Sequence, residues 1–377
     1  MSAPAIVPGS WLDREGGKGR RVCVVLLTGL GDVVNALPLV NALKDADPTL
    51  RISWVVEPMP APILAHHPSV DEVIVYRKKL GVQGVRQLAA EMFRQPRWDL
   101  AINLHVFAKS IWGTMFSRAP HRVGFDRART FDQTWLVTND RIAPRPRRHT
   151  VDMFLEFAAH LGAPVAAPEW RITFTDAERA EQAAFFAGMD RPLVGLIPAS
   201  NIARKDWIAE RWIPVVDALE TEFGCRTVIM GGLGEREVRM AREISDGAAH
   251  KPLWAMGDPI RRMAWMIEGC ALTIAPDTGP LHMSRALQTP VIGLYGHTSP
   301  WRVGPHGRYH DLLVDRYLDP GEAPDPSSYA PRLGRMEQIT PDDVIARIRV
   351  ARERYGLGGA GDGDGADGGK RAPQGER

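Results

Sequence analysis

The sequence predicts an α/β protein of two Rossmann-like domains facing a central cleft. Three observations predict it. Apolar runs of strand length alternate with helical patterns along most of the chain, which implies parallel sheets with helices on both faces. The alternation comes in two consecutive blocks of similar size, the second opening at Leu193. The first block opens on a glycine turn, Thr28-Gly29-Leu30-Gly31-Asp32, set between a buried-strand run and a helix. A length of 377 residues fits two domains better than one.

The elements follow in order. Residues 1–20 read as a flexible lead. The apolar run 22–27 is the first strand, and the pattern 33–45 the first helix. Further strands are expected at 52–56, 73–75 and 99–104, with helices at 84–94, 108–117 and about 150–161. The first domain therefore spans 21–165, and 166–192 is a linker region with some structure of its own. The second domain, 193–340, carries strands at 193–197, 227–230, 271–274 and 291–295, and helices at 209–223, 235–246, 259–268 and 280–287. Thr340-Pro341-Asp342-Asp343 is an N-cap, a first-turn proline and first-turn acids, so a helix is expected over 341–355. Residues 356–377 read as a disordered tail, because the stretch from 358 holds eight glycines and no aliphatic residue except alanine.

Composition narrows the function. A hydrophobic fraction of 44% supports real cores, and a net charge of +2 gives no reason to expect nucleic acid. Charge is unevenly spread: eight arginines face three aspartates between Arg118 and Arg148. That excess suits an anionic partner, and equally a solvated loop. Three cysteines, Cys23, Cys225 and Cys270, lie far apart with no Cys-x-x-Cys or Cys/His cluster, which argues against a metal or disulfide framework and for a reducing compartment. No apolar stretch approaches the ~20 residues of a membrane span. A cytoplasmic protein is expected, with peripheral membrane contact left open.

In open parallel sheets, ligands bind beyond the carboxyl ends of the strands. In the first domain that place carries Asp32. The dinucleotide fingerprint is broken there, since its third glycine position is Val34. Asp32 would repel a bound pyrophosphate, so it reads as a general base in a cleft; the plainer reading is a helix cap. In the second domain the corresponding loops are 198–207, 231–237 and 276–282. Thr278 and Gly279 can present backbone N–H groups at a helix start, where phosphate binds well. Asp277 and His282 flank them, and both also fit a simple cap and a satisfied helix residue. Ser200, Asn201 and Lys205 offer a hydroxyl, an amide and a cation to a leaving diphosphate. Gly231 to Glu237 again fails the dinucleotide pattern, at Glu237. Glu235 or Glu237 could accept from ribose hydroxyls, or simply complement the helix dipole.

Together these segments resemble glycosyltransferase family 9, the bacterial ADP-heptose:lipopolysaccharide heptosyltransferases, from about Arg21 to about Arg354. Residues 27–38 resemble its N-terminal signature, with Gly29 a mild departure. Asn103-Leu104-His105 through Lys109-Ser110 and Arg122-Val123-Gly124-Phe125-Asp126 resemble two further segments. Asp277-Thr278-Gly279-Pro280-Leu281-His282, followed by Pro290 to Thr298, resembles the donor signature, with His297 where proline is usual.

The resemblance implies a GT-B fold whose final helix crosses back onto the first domain. It implies inverting, metal-independent transfer with no cofactor. By position, Asp32 matches the catalytic base and Lys205 the phosphate-stabilising lysine. Ser200, Asn201, Thr278 and Gly279 match diphosphate contacts, Asp277 a donor-sugar contact and Glu235 or Glu237 the ribose contact. Asp258 lies near the adenine-contacting backbone, and His282 completes the donor set. Gly31, Lys109, Arg122 and Arg127 fall on the acceptor side, facing an anionic glycolipid such as Kdo-bearing lipid A at the inner membrane. The same fold and donor could serve a protein or another glycan acceptor. A non-catalytic nucleotide-sugar-binding protein would be expected to lack Asp32 or Lys205, and a nicotinamide oxidoreductase to complete a glycine fingerprint.

Overall fold

The computed structural model describes residues 11–13 and 19–357; the expected tail, from Gly358 on, and most of the expected lead lie outside them. Two six-stranded parallel sheets form the frame. The first contains β1 (Arg21–Val25), β2 (Arg51–Val56), β3 (Glu72–Val75), β4 (Leu100–Asn103), β5 (His121–Gly124) and β6 (Asp140–Arg141). Around it lie α1 (Leu30–Ala46), α2 (Ala61–Leu64), α3 (Val82–Arg94), α4 (Ile111–Phe116) and α5 (Thr150–Leu161). The second contains β7 (Leu193–Leu196), β8 (Arg226–Gly231), β9 (Leu253–Met256), β10 (Leu272–Pro276), β11 (Val291–Tyr295) and β12 (Val314–Asp315). Its helices are α6 (Asp176–Ala187), α7 (Ala209–Thr221), α8 (Glu235–Gly247), α9 (Ile260–Gly269), α10 (Gly279–Ala286), α11 (Pro300–Val303) and α12 (Pro341–Tyr355).

The strand order is 3-2-1-4-5-6 in the first sheet, and the same in the second when its strands are counted from β7. In this doubly wound order the winding reverses between the first and fourth strands, and the crevice opens there. β1 pairs with β4, Val25 opposite Asn103, and β7 pairs with β10, Leu196 opposite Ile274. The loops following those four strands are 26–29, 104–110, 197–208 and 277–278, so topology alone places the motif loops at two facing crevices.

The domains meet through two helices. α1 is buried along most of its length: its apolar side chains share one core with those of β1, β2 and β4, and α5 and α10 pack on it. At the crossing with α10 a Cβ on Gly31 would lie 2.5 Å from His282 Cδ2, and one on Gly279 would lie 2.7 Å from Leu30 Cβ. Only glycine permits this approach. Arg261 on α9 adds a second tie, donating to the carbonyls of Pro62 at 3.3 Å and Ala65 at 3.0 Å. His149, the N-cap of α5, supplies a third by donating to the Gly304 carbonyl at 2.9 Å.

Several elements differ from expectation. The helix expected at 108–117 is a short 3₁₀ turn followed by α4. β5, β6 and β12 are short strands in charged or mixed surroundings, without the apolar run that marks a strand, and β9 is an apolar run of only four residues that lies outside the expected strands. The linker region holds α6, which opens on a Thr175/Glu178 capping box and packs on α9.

The final helix is a correction. It packs on α7, β11 and β12 of the second domain rather than crossing to the first. Its stripe of Val344, Ile348 and Ala351 is buried there. Trp207 Nε1 holds its lead-in through the Ile339 carbonyl at 2.9 Å, and Arg354 pairs with Asp311 at 2.9 Å.

Candidate active site

On the second domain, Asp277 is the hub. It is buried, and burial alone would push its carboxyl up. Lys205 and His282 overcome that and hold it far below the usual carboxylate range. Asp277 Oδ2 accepts from Lys205 Nζ at 2.7 Å and from Thr298 Oγ1 at 2.7 Å, while Oδ1 lies 3.4 Å from His282 Nε2. Asn35 of α1 reaches across the domain boundary to His282 Nδ1 at 3.3 Å. Read as a donor, Asn35 leaves the His282 proton on Nε2, directed at Asp277.

Thr278 is the N-cap of α10 and makes no side-chain cap bond. The first N–H groups of α10 are therefore free of a side-chain acceptor and carry the positive end of the helix dipole. Asp277 is not the N-cap, so the plainest reading of that residue does not hold. Pro280 sits in the first turn as expected.

The 200–205 loop is built by residues that sequence reasoning passed over. Asp206 Oδ1 accepts from Ser200 N at 2.7 Å. Arg236 pairs with Asp206 and donates to the Ser200 carbonyl. Ser200 is buried, with its hydroxyl accepting from Ile202 N at 3.1 Å, whereas Asn201 is exposed. Glu235 is exposed at the start of α8, and Glu237 folds back so that a Cβ on Gly232 would meet its carboxylate. Asp258 lies past β9 and accepts from Arg262 Nε at 2.9 Å.

On the first domain, Asp32 lies in the first turn of α1, whose N-cap is Gly29. Its carboxylate does not cap the helix. It accepts from Thr28 Oγ1 at 2.8 Å and is partly exposed. Beside it, His105 Nε2 donates to the Leu27 carbonyl at 2.9 Å. Burial, aided by Lys109, pushes this imidazole down to about 4, so it is neutral at physiological pH. Lys109 and Lys78 share Glu57, at 3.6 and 2.5 Å. Burial and the neighbouring Lys78 lower the Lys109 ammonium. Arg127 is exposed and stacks on Trp135 at 4.2 Å.

Two acceptor-side expectations change. Arg122 lies near the start of β5, away from the carboxyl edge. Its guanidinium is spent on the Val137 and Ala119 carbonyls, both at 2.8 Å, so it closes a loop. Gly31 serves the crossing of α1 and α10. Arg236, Thr298, Asn35, Glu57 and Lys78 were not singled out from sequence. All but Asn35 lie just beyond a strand end in the cleft, which is the positional signal that could have found them.

The arrangement brings the starts of α1 and α10 together from two domains. A carboxylate with one hydroxyl partner faces a buried carboxylate, a lysine and an open helix N-terminus. That combination can take a proton on one side of a cleft and stabilise developing negative charge on the other.

Comparison with known proteins bears on the fold and the family. The lipopolysaccharide core heptosyltransferase OpsX of Haemophilus influenzae is 27% identical over 341 residues, covering 88% of this chain and 96% of that protein. Lipopolysaccharide heptosyltransferase 1 of Pseudomonas aeruginosa is 26% identical, covering 76% and 82%. Among solved structures, a family 9 glycosyl transferase from Veillonella parvula superposes with a TM-score of 0.77 at 23% identity, covering 90% of this chain and 99% of that one. E. coli heptosyltransferase WaaC with ADP superposes with a TM-score of 0.68 at 21% identity, covering 89% and 99%, which supports the shared fold. The profile of glycosyltransferase family 9 (heptosyltransferase) matches residues 86–317, more than half of the chain. The chain belongs to that family and is a glycosyltransferase.

Proposed function

We propose that the protein transfers heptose from ADP-heptose to the lipopolysaccharide inner core by an inverting, metal-independent displacement. The observation that carries this reading is that the start of α1, where Asp32 accepts from Thr28, packs against α10 beside the Lys205–Asp277–Thr298 cluster. Asp32 takes the proton of the acceptor hydroxyl as it attacks the anomeric carbon. The bond to the diphosphate breaks on the opposite face. Lys205 leaves Asp277 for the departing phosphate, with the α10 N-terminus beside it. Ser200, Asn201, Thr278 and Gly279 hold the diphosphate. Asp277, organised by His282, holds the sugar. Asp258 and either Glu235 or Glu237 hold the nucleoside.

The acceptor side meets an anionic glycolipid through Lys109 and Arg127. Three buried, free thiols support a cytoplasmic setting. No helix of the described residues is long and apolar enough to cross a membrane. Exposed Phe93, Trp112 and Met115, with Arg118 over Phe93, support peripheral contact with the inner membrane.

The test combines the purified chain, ADP-heptose and deacylated Kdo-lipid A, with product read by mass spectrometry, with and without excess EDTA. A mass gain of one heptose in both arms is expected. No transfer, or transfer that EDTA abolishes and Mg²⁺ restores, overturns the proposal. ADP should raise Tm while NAD does not; the reverse also contradicts it.

A further inference from the structure

A line of aromatic rings runs out of the first crevice and across the mouth of the cleft, and the proposed chemistry does not use it. It begins at His105, whose ring meets Phe107 edge-on at 5.6 Å. Phe107 stacks on Phe131 at 5.4 Å with the planes 17° apart. Phe131 meets Tyr329 of the second domain edge-on at 6.2 Å. These rings are left in water: Phe107 is 44%, Phe131 49% and Tyr329 39% exposed. The placement is built. Phe131 N donates to the Val106 carbonyl at 3.0 Å, and the Asp132 carboxylate accepts from Ala108 N at 3.2 Å, so the two loops hold each other in register.

Two guanidinium groups sit on the same line. Arg147 lies over both Phe131 and Tyr329, at 4.7 Å from each ring centre. Arg302 lies 4.3 Å over Tyr329. Neither forms an ion pair with a carboxylate among the described residues, and Arg302 Nε is buried without a hydrogen-bond partner. Two cations gathered on one ring with no anion between them are arranged for an anion from outside. Arg147 gives one N–H to the Arg129 carbonyl at 3.4 Å, and a stacked guanidinium has further N–H groups for a carboxylate or phosphate.

We propose that Phe107, Phe131 and Tyr329, with Arg147 and Arg302, form the platform that binds an acidic sugar of the acceptor. A pyranose presents a face of C–H bonds that packs on the negative face of an aromatic ring, while a carboxylate or phosphate on it reaches Arg147 and Arg302. The line starts at His105, whose ring feels the Asp32 carboxylate, so it is assigned to the acceptor, and the test below separates acceptor from donor. This inference rests on the reading of the site as a heptosyl-transfer site.

The test uses the full chain, ADP-heptose, and deacylated Kdo-lipid A as the acceptor probe. Phe131→Ala and Arg147→Gln should each raise the acceptor KM, and the Kd for the probe measured directly, by about tenfold. Donor KM, ADP affinity and Tm should stay unchanged. Phe131→Trp, which keeps the stacking face, should restore acceptor KM. Unchanged acceptor KM and Kd in both variants would overturn the platform while leaving heptosyl transfer intact. A rise in donor KM instead would assign the two arginines to the donor phosphates and equally overturn it. Failure of the wild-type chain to bind the probe sinks the platform, whereas binding without transfer sinks the proposed reaction and leaves the platform standing.

Discussion

Asp32 and Asp277 occupy comparable places in the two domains. Each follows a strand that borders the switch point, and each stands at the start of a helix that meets the other domain. Their surroundings differ. Asp277 is buried and engaged by Lys205, Thr298 and His282, which together hold it ionised. Asp32 is partly exposed and, among the described residues, accepts a hydrogen bond from Thr28 alone. A buried carboxylate held by three side chains organises its neighbours. One with a single hydroxyl partner is still available to a substrate proton. On the proposed reading the same residue type has two jobs, set by what surrounds it.

The contrast breaks most readily at Asp32. Asp32→Asn keeps the shape and removes the base, so turnover should fall by about 10²–10⁴-fold; a rapid-quench or mass-spectrometric rate measurement checks it. The next largest effect belongs to Lys205. Lys205→Ala removes the charge stabiliser and should cost about 10²–10³-fold in turnover. It also leaves Asp277 without its cation, so unlike Asp32→Asn it should lower Tm.

Gly31→Ala sharpens the comparison from the packing side. The added methyl meets the His282 ring at the crossing of α1 and α10. It should cost about 1–3 kcal/mol as overpacking, and disturb Asp277 through its histidine. Thermal unfolding and ADP titration on the same variant would show both.

Acid provides the mildest test. Burial holds His105 down to about 4 and His149 down to about 3, against an ordinary 6.5. Their folded values lie below the unfolded value, so the unfolded chain takes up protons first as pH falls. The stability they confer is complete above about 6.5 and lost as pH drops toward 4. The slope is at most about 1.4 kcal/mol per pH unit for each histidine. His105→Gln should flatten the acid limb of Tm against pH; an unchanged limb would contradict the assignment.

How much of this was legible in the sequence depended on whether a local pattern carried it. The run from Val22 to Leu27 followed by a glycine turn announced β1, and Thr278-Gly279-Pro280 announced the start of α10. β12 was not legible, because a strand of two residues is selected by its neighbours in the sheet rather than by its own composition; β9 carries an apolar run, Leu253–Met256, that lies outside the expected strands. The final helix was read correctly as an element but placed on the wrong domain, since a buried stripe states that a partner exists and not which one. Asp32, Lys205 and Asp277 stood out because charge at a strand end is conspicuous. Arg236 did not, because its role depends on Asp206, thirty residues earlier in the chain, being brought beside it. Arg122 misled because an arginine's charge invites a ligand, while its five N–H groups are as readily consumed by nearby carbonyls.

The central claim is that Asp32 acts on the acceptor proton while Asp277 organises the donor side. Asp32→Asn and Asp277→Asn, measured side by side for turnover, ADP affinity and Tm, test it most directly. Asp32→Asn should lose turnover by about 10²-fold or more with ADP affinity and Tm near wild type. Asp277→Asn should lose about 3 kcal/mol of stability, the order expected when one partner of a buried ion pair is removed, together with ADP affinity. A less stable Asp32→Asn variant with near wild-type turnover would contradict the account and place the catalytic base elsewhere.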